Sequence, residues 1–428
     1  MTDQTNPMEA FRTGGLDAAR HAIAAQYPAM RAALEAAPSP AKKAKALIGA
    51  ICANDQEMAA RLVRDVEPNM RFDSPLRLSP LLGLQVYCRK NGYRYEVVLP
   101  PQHVEIAPTT PYSRPFSYET EPAVMAVIPG AQFVPGWDVL LGTDGTILQD
   151  SGYQPVKHGY TAFGAIFVGD LQAIIHHVPA DEVVIDDDVL FLSAPVNNFG
   201  HWLIDFLPRL MGLRSAAGRP LKVALPAGLP ARYGETLARF GVSDADVILC
   251  QPGKLYRFKS VTLYRPGQSM PPNPQHVRFV RDGLMAGRAL TPRRGKRVYL
   301  SRASVGTRAI ANAADFNAFL DREGFTTADL ADLSLKEQEQ LLGDADVLLG
   351  TFGSNLLGLY FAAPGCTVIA MMHDVTEDPT IAPSCAMLGM KQQYLVCEKA
   401  PTPGLQKHRK DTDVIVDCAL LASRLPPR

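Results

Sequence analysis

From Ala162 onward, short apolar runs of strand length alternate with stretches of helical periodicity, and few architectures accept that order. Strands are expected at 183–185, 189–192, 222–225 and 247–250, with helices near 198–209 and at 232–240. After a helix at 276–288, a second series runs strand 298–301, helix 315–323, strand 325–328, helix 335–343, strand 347–349, helix 354–362 and strand 367–371. Such alternation predicts parallel sheets with helices on both faces. Two series predict an α/β chain of two Rossmann-like domains, 71–275 and 276–428, facing a cleft. In sheets of this class ligands sit at the carboxyl ends of the strands, so motifs that end strands carry most weight.

Residues 1–70 read differently. Ile23, Tyr27, Met30 and Leu34, then Ala44, Leu47, Ile48 and Ile51, fall at helical spacing on either side of Pro38-Ser39-Pro40, which predicts a helical appendage used for packing. Between 70 and 160, apolar runs at 95–99, 124–128 and 139–148 flank turns such as Asp144-Gly145, as short strands and hairpins would. Basic and acidic residues balance at 43 each, so no net field draws nucleic acid. Seven scattered cysteines without a C-x-x-C predict reduced thiols rather than a disulfide scaffold or a zinc knuckle. The first residues show no basic stretch followed by an apolar run, so no secretory leader is expected, and no apolar run approaches the roughly 18 residues of a membrane span. A cytoplasmic protein without a transmembrane segment is expected, with peripheral membrane association and homo-oligomer formation left open.

The most informative stretch is Asn197-Asn198-Phe199-Gly200-His201-Trp202-Leu203-Ile204-Asp205-Phe206-Leu207-Pro208-Arg209. On a helix, His201, Asp205 and Arg209 stack along one face of an otherwise apolar surface. Burying them costs free energy unless they pair or face a cleft that needs them. Asn198 is the expected N-cap, placing His201 where the helix dipole favours a neutral imidazole. Asp205 would orient that ring, the division of labour of a general base. The plainer alternative is an i,i+4 structural pair inside a core.

Two strand ends in the second series suit phosphate. Strand 298–301 runs into Ser301-Arg302, with Arg308 beyond, and guanidinium forks match phosphate oxygens. Asp346-Val347-Leu348-Leu349-Gly350 leads through Thr351-Phe352-Gly353-Ser354-Asn355 into a helix, and small residues at such a turn expose backbone N–H groups to an anion. Other motifs read as structural. D-x-D spacing recurs at Asp186–Asp188, Asp244–Asp246, Asp344–Asp346 and Asp411–Asp413, too often to single out one metal site; His176-His177 have no partner at metal spacing. Ser334 with Glu337 forms a capping box. Arg293, Arg294, Lys296 and Arg297 read as a solvated linker without the aromatic platforms of nucleic-acid binding. Neither an essential metal nor another cofactor is expected.

Three ordered blocks together resemble glycosyltransferase family 61. They are the 197–209 stretch; Arg297-Val298-Tyr299-Leu300-Ser301-Arg302 with Arg308 and Asn312; and Leu333 to Gln338 through Ala345 to Gly350 and Phe361 to Gly365. The similarity spans roughly residues 95–420. It implies a GT-B fold of two Rossmann-like domains and inversion at the anomeric carbon without an obligatory metal. It also implies a nucleotide-sugar donor in the C-terminal domain and a glycan or polysaccharide acceptor on the N-terminal one. On that basis His201 and Asp205 are the catalytic pair, while Arg302, Arg308, Gly353, Ser354 and Asn355 hold the donor. Asn198 and Arg209 support the acceptor side. Members usually carry Gly-x-His-Gly-Ala in the last block, where this chain has Gly350-Thr351-Phe352-Gly353-Ser354. Alternatives within reach of the same residues are a nucleotide-sugar epimerase or pyruvyltransferase of polysaccharide assembly and a non-catalytic glycan-binding scaffold.

Overall fold

The structure, a computed structural model, describes residues 6–427 apart from 67–73, 138, 153–165, 169–172, 194–197, 216–219, 286–287, 289, 306, 374–378 and 401–411. Asn197 and Asp411 therefore lie outside the described residues. Among those described, twelve strands form one mixed sheet and five form a parallel one. The chain is α/β.

The parallel part of the large sheet contains Glu182–Phe191, Lys222–Pro226, Val247–Cys250 and Leu255–Arg265. Numbered along the chain, these four lie in the order 3-2-1-4. The sheet continues with antiparallel Ala123–Pro129, which pairs both Leu255–Arg265 and Tyr95–Leu99. The large sheet is thus parallel at one end, with Val247–Cys250 at its edge, because the upstream hairpins join the same sheet instead of forming a separate layer. In the smaller sheet, Arg297–Leu300, Phe325–Ala328, Val347–Thr351, Thr367–Met372 and Lys391–Val396 lie in the order 2-1-3-4-5. Both orders reverse direction beside their first strand, and a doubly wound sheet opens a crevice at that point.

Four expectations need correction. The runs at 183–185 and 189–192 are one strand, not two. Asp186-Asp187-Asp188, expected to separate two strands, is a bulge within one, since three steps from Ile185 to Asp188 face two from Phe258 to Ser260. Arg297 is not solvated: it is buried, with Nη1 2.9 Å from Glu323 Oε2 and Nη2 donating to Pro426 O at 2.8 Å. The segment from 354 is a 3₁₀ helix, Ser354–Phe361, rather than an α-helix.

Helices Pro7–Ala36, Pro40–Cys52 and Gln56–Val66 form the N-terminal appendage. Ser39 caps the second by accepting from Lys42 N, and Pro40 occupies its first turn, where a missing N–H costs nothing. Ile23, Leu47, Leu62 and their neighbours pack on Leu76, Leu78 and Ile175 of the large sheet. The largest apolar cluster lies elsewhere, running without interruption from Leu190 and Val223 through Trp202, Phe206 and Leu207 to Leu300, Leu348, Leu357 and Phe361. It joins the two sheets.

Candidate functional site

The segment after Asn198 is apolar enough to be buried, and Trp202, Leu203, Phe206 and Leu207 are each at most 1% exposed. It is not the single α-helix expected. One α-turn at Phe199–His201 passes into a π-turn at Trp202–Phe206 and a 3₁₀ turn at Leu207–Leu210. Pro208 lacks the N–H that an α-helix would offer to Ile204, which removes one rung of the regular ladder. π-turns recur at functional sites because they re-aim side chains. The cap is as the sequence predicts, with the Asn198 side chain accepting from Gly200 N at 2.9 Å and His201 N at 3.3 Å.

Asp205 is 4% exposed and its two carboxylate oxygens have separate partners. Oδ2 lies 2.7 Å from His201 Nδ1, and Oδ1 accepts from the Ser269 hydroxyl. A carboxylate only accepts, so Nδ1, the ring nitrogen facing it, carries a proton. Ser269 follows strand Leu255–Arg265, the fourth of the 3-2-1-4 block, so the dyad is assembled across the crevice of that block. Arg209 sits beneath it, 2% exposed, with Nε donating to Asp205 O at 3.3 Å and its guanidinium 5.2 Å from the Phe206 ring.

The crevice of the smaller sheet faces this dyad. Val347–Thr351 ends in Phe352, whose N–H still donates to Met371 O at 2.8 Å, and then Gly353 turns at φ 153°, ψ −175°. That backbone region is essentially restricted to glycine. A Cβ on Gly353 would lie 2.6 Å from Arg308 Nη1 and 2.7 Å from Arg302 Nη1, so two guanidiniums close over bare backbone. Arg308 Nη1 donates to Phe352 O at 2.5 Å, and Arg308 itself has φ 58°, an uncommon conformation for a side-chain-bearing residue. Asn355 Nδ2 donates to Leu300 O at 2.9 Å and ties the two switch-point strands together.

The two halves touch where the glycines allow it. A Cβ on Gly200 would lie 2.6 Å from Ser354 Cβ and 2.9 Å from Leu357 Cδ1. Between them opens a cleft of about 330 Å³ lined by Asn198, His201, Arg302, Arg308, Gly353 and Ser354. A second cavity of about 280 Å³ shares Asn198, Arg302 and Ser354 and adds Asn355, Arg232 and Asp329. Asp205 and Arg209 stand behind the first wall. The sequence argument did not reach Ser269, Arg232, Asp329 or His373, which lines a smaller cavity with Arg308 and Phe352. Only Ser269's place just past a strand end could have flagged it.

The acidic pairs serve the framework. Asp246 forms a capping box with Ser243, Asp344 pairs with Lys296, Asp346 accepts from Gly295 N at 2.9 Å, and Asp413 accepts from Ala309 N at 2.9 Å. Asp187 lies 2.8 Å from Lys222 Nζ. His176 is a core residue against Trp137 and Ser79. The Ser334–Glu337 capping box is formed. Among the described residues, no helix is long and apolar enough to cross a membrane.

No curated protein matches the chain. Residues 199–369, which run from the start of the His201 segment through both arginines and the Gly353 turn to strand Thr367–Met372, match the family model Glycosyltransferase 61, and this match supports a glycosyltransferase.

Proposed function

We propose that the protein is an inverting glycosyltransferase with a GT-B arrangement, moving a hexosyl or pentosyl unit to a polysaccharide acceptor of the bacterial capsular type in the cytoplasm. The observation that carries this is the meeting of the His201–Asp205 dyad and the Arg302–Arg308 pair on one cleft of about 330 Å³. His201 Nε2 takes the proton of an acceptor hydroxyl as its oxygen attacks the anomeric carbon, and the bond from that carbon to the donor phosphate breaks. Asp205 stabilises the imidazolium that forms. Negative charge then gathers on the departing nucleoside diphosphate, where Arg302, Arg308 and the amides of Gly353 to Asn355 receive it. Two guanidiniums supply the positive charge that a divalent ion provides in other transferases, so the transfer runs without an essential metal.

His201→Ala should lower kcat roughly 10²- to 10⁴-fold with the fold intact. Turnover of a nucleotide-sugar panel by wild type and variant, followed by product analysis, checks this. Near wild-type kcat in a folded His201→Ala protein would sink the base assignment, and a product without a new glycosidic bond would sink the transferase reading.

A further inference from the structure

Three arginines of the framework show how this chain places a guanidinium away from water. Arg239 Nη2 lies 2.8 Å from Glu339 Oε2, Arg297 Nη1 lies 2.9 Å from Glu323 Oε2, and Arg281 donates to Tyr360 O. Arg232 departs from that arrangement. It is half-buried with its guanidinium 5.1 Å from the Phe199 ring, and among the described residues its nitrogens, the buried Nε included, have neither an ion pair nor a hydrogen bond. A charge half removed from water and left unpaired costs free energy that an incoming anion recovers.

The local fold fixes this side chain to the segment that carries the base. Strand Lys222–Pro226 turns through Gly228, at φ 84°, and Pro230 caps helix Ala231–Arg239, so Arg232 stands in the first turn. Its neighbour Tyr233, 1% exposed, stacks on Trp202 with ring centroids 4.4 Å apart, and Trp202 directly follows His201. Phe199, under the guanidinium, belongs to the same α-turn as His201. Arg232 lines the cavity of about 280 Å³ that shares Asn198, Gly200, Arg302 and Ser354 with the dyad's cleft. A group held by Arg232 is therefore in register with His201, on the first half of the molecule, and not with the arginine pair of the second.

The surrounding charge selects the anion. Arg302 and Arg308 are taken by the departing diphosphate, which leaves one cation, Arg232, in a cavity that Asp329 also lines. One guanidinium with a carboxylate nearby suits a monoanion better than a phosphate dianion. A guanidinium fork matches a carboxylate in two parallel hydrogen bonds.

The geometry points to an acidic acceptor: Arg232 binds a sugar carboxylate, of the uronic-acid class, on the glycan whose hydroxyl gives its proton to His201. The inference rests on the proposed glycosyltransferase function and adds a charge to its acceptor.

NMR of the arginine Nε–H groups in the full chain, with signals assigned through Arg232→Lys, Arg302→Lys and Arg308→Lys, tests it. The probes are glucuronate, galacturonate and mannuronate, their neutral hexoses, glucose 1-phosphate and inorganic pyrophosphate. At least one uronate should shift the Arg232 signal while its hexose does not, and pyrophosphate should shift Arg302 and Arg308 alone. Arg232→Ala should weaken binding of that uronate roughly 10- to 100-fold, followed on the ligand's own signals, with pyrophosphate affinity unchanged. Should Arg232→Ala fail to fold, the wild-type comparison of uronate with hexose decides alone. Equal responses to uronates and hexoses, none included, overturn the inference and spare the transferase reading; so does a stronger response of Arg232 to glucose 1-phosphate or to pyrophosphate. Pyrophosphate that moves neither Arg302 nor Arg308 overturns that reading itself.

Discussion

Asp205 shows how a single buried carboxylate can be both tolerated and used. Its charge is matched by the Ser269 hydroxyl and the His201 ring, so each oxygen has a partner in place of water. Asp205→Asn keeps the shape and removes the charge that holds Nδ1–H, and kcat should fall roughly 10²- to 10⁴-fold with donor affinity unchanged. Steady-state kinetics beside pyrophosphate titration separate the two, and an equal loss of both would point to a collapsed site. Ser269→Ala leaves Oδ1 short of a donor and should lower unfolding stability by about 1–3 kcal/mol, read from urea denaturation. An unchanged midpoint would mean that water replaces the hydroxyl.

At the level of elements, two glycines set how closely the halves approach. Gly200→Ala places a methyl 2.6 Å from Ser354 Cβ, and overpacking of this kind costs about 1–3 kcal/mol and widens the cleft. Gly353→Ala should weaken pyrophosphate binding more than Gly200→Ala does, because it pushes on both guanidiniums directly; the reverse ranking would remove the turn from the phosphate site. Most of the strand and helix alternation and the Asn198 cap were legible in the sequence, since periodicity and capping act within one turn, but strands Leu255–Arg265 and Lys391–Val396 were not read. The π-turn was not, because a helix with Pro208 near its end can bend, stop or widen, and packing of Trp202 on Tyr233 at 4.4 Å decides among these. The mixed character of the large sheet was hidden for a related reason: strand pairing is a long-range property that alternation alone does not encode. Ser269 and Asp329 were missed because polar residues after strands are common and only the three-dimensional crevice distinguishes them.

Across the whole molecule, His176 and His276 are buried and line neither cavity of the cleft, and burial pushes each from 6.5 down to about 4. Both stay neutral in the folded chain while the unfolded chain takes up protons below pH 6.5. Their contribution is therefore fully present above that pH and is lost as pH falls toward 4, by about 1.4 kcal/mol per pH unit for each ring. Urea unfolding between pH 7.5 and pH 5 measures the slope, which His276→Phe should reduce; an unchanged slope would remove His276 from this account. The apolar cluster that passes from one sheet to the other has a further consequence. Swinging the halves apart as rigid bodies would bring Trp202, Leu357 and Phe361 into water, at about 25 cal/mol for every Å² exposed. A hinge is thus an expensive way to admit a substrate, and entry falls to side chains and loops at the rim. Small-angle scattering should give the same radius of gyration with and without a bound nucleotide, and the two sheets should melt together in a single transition.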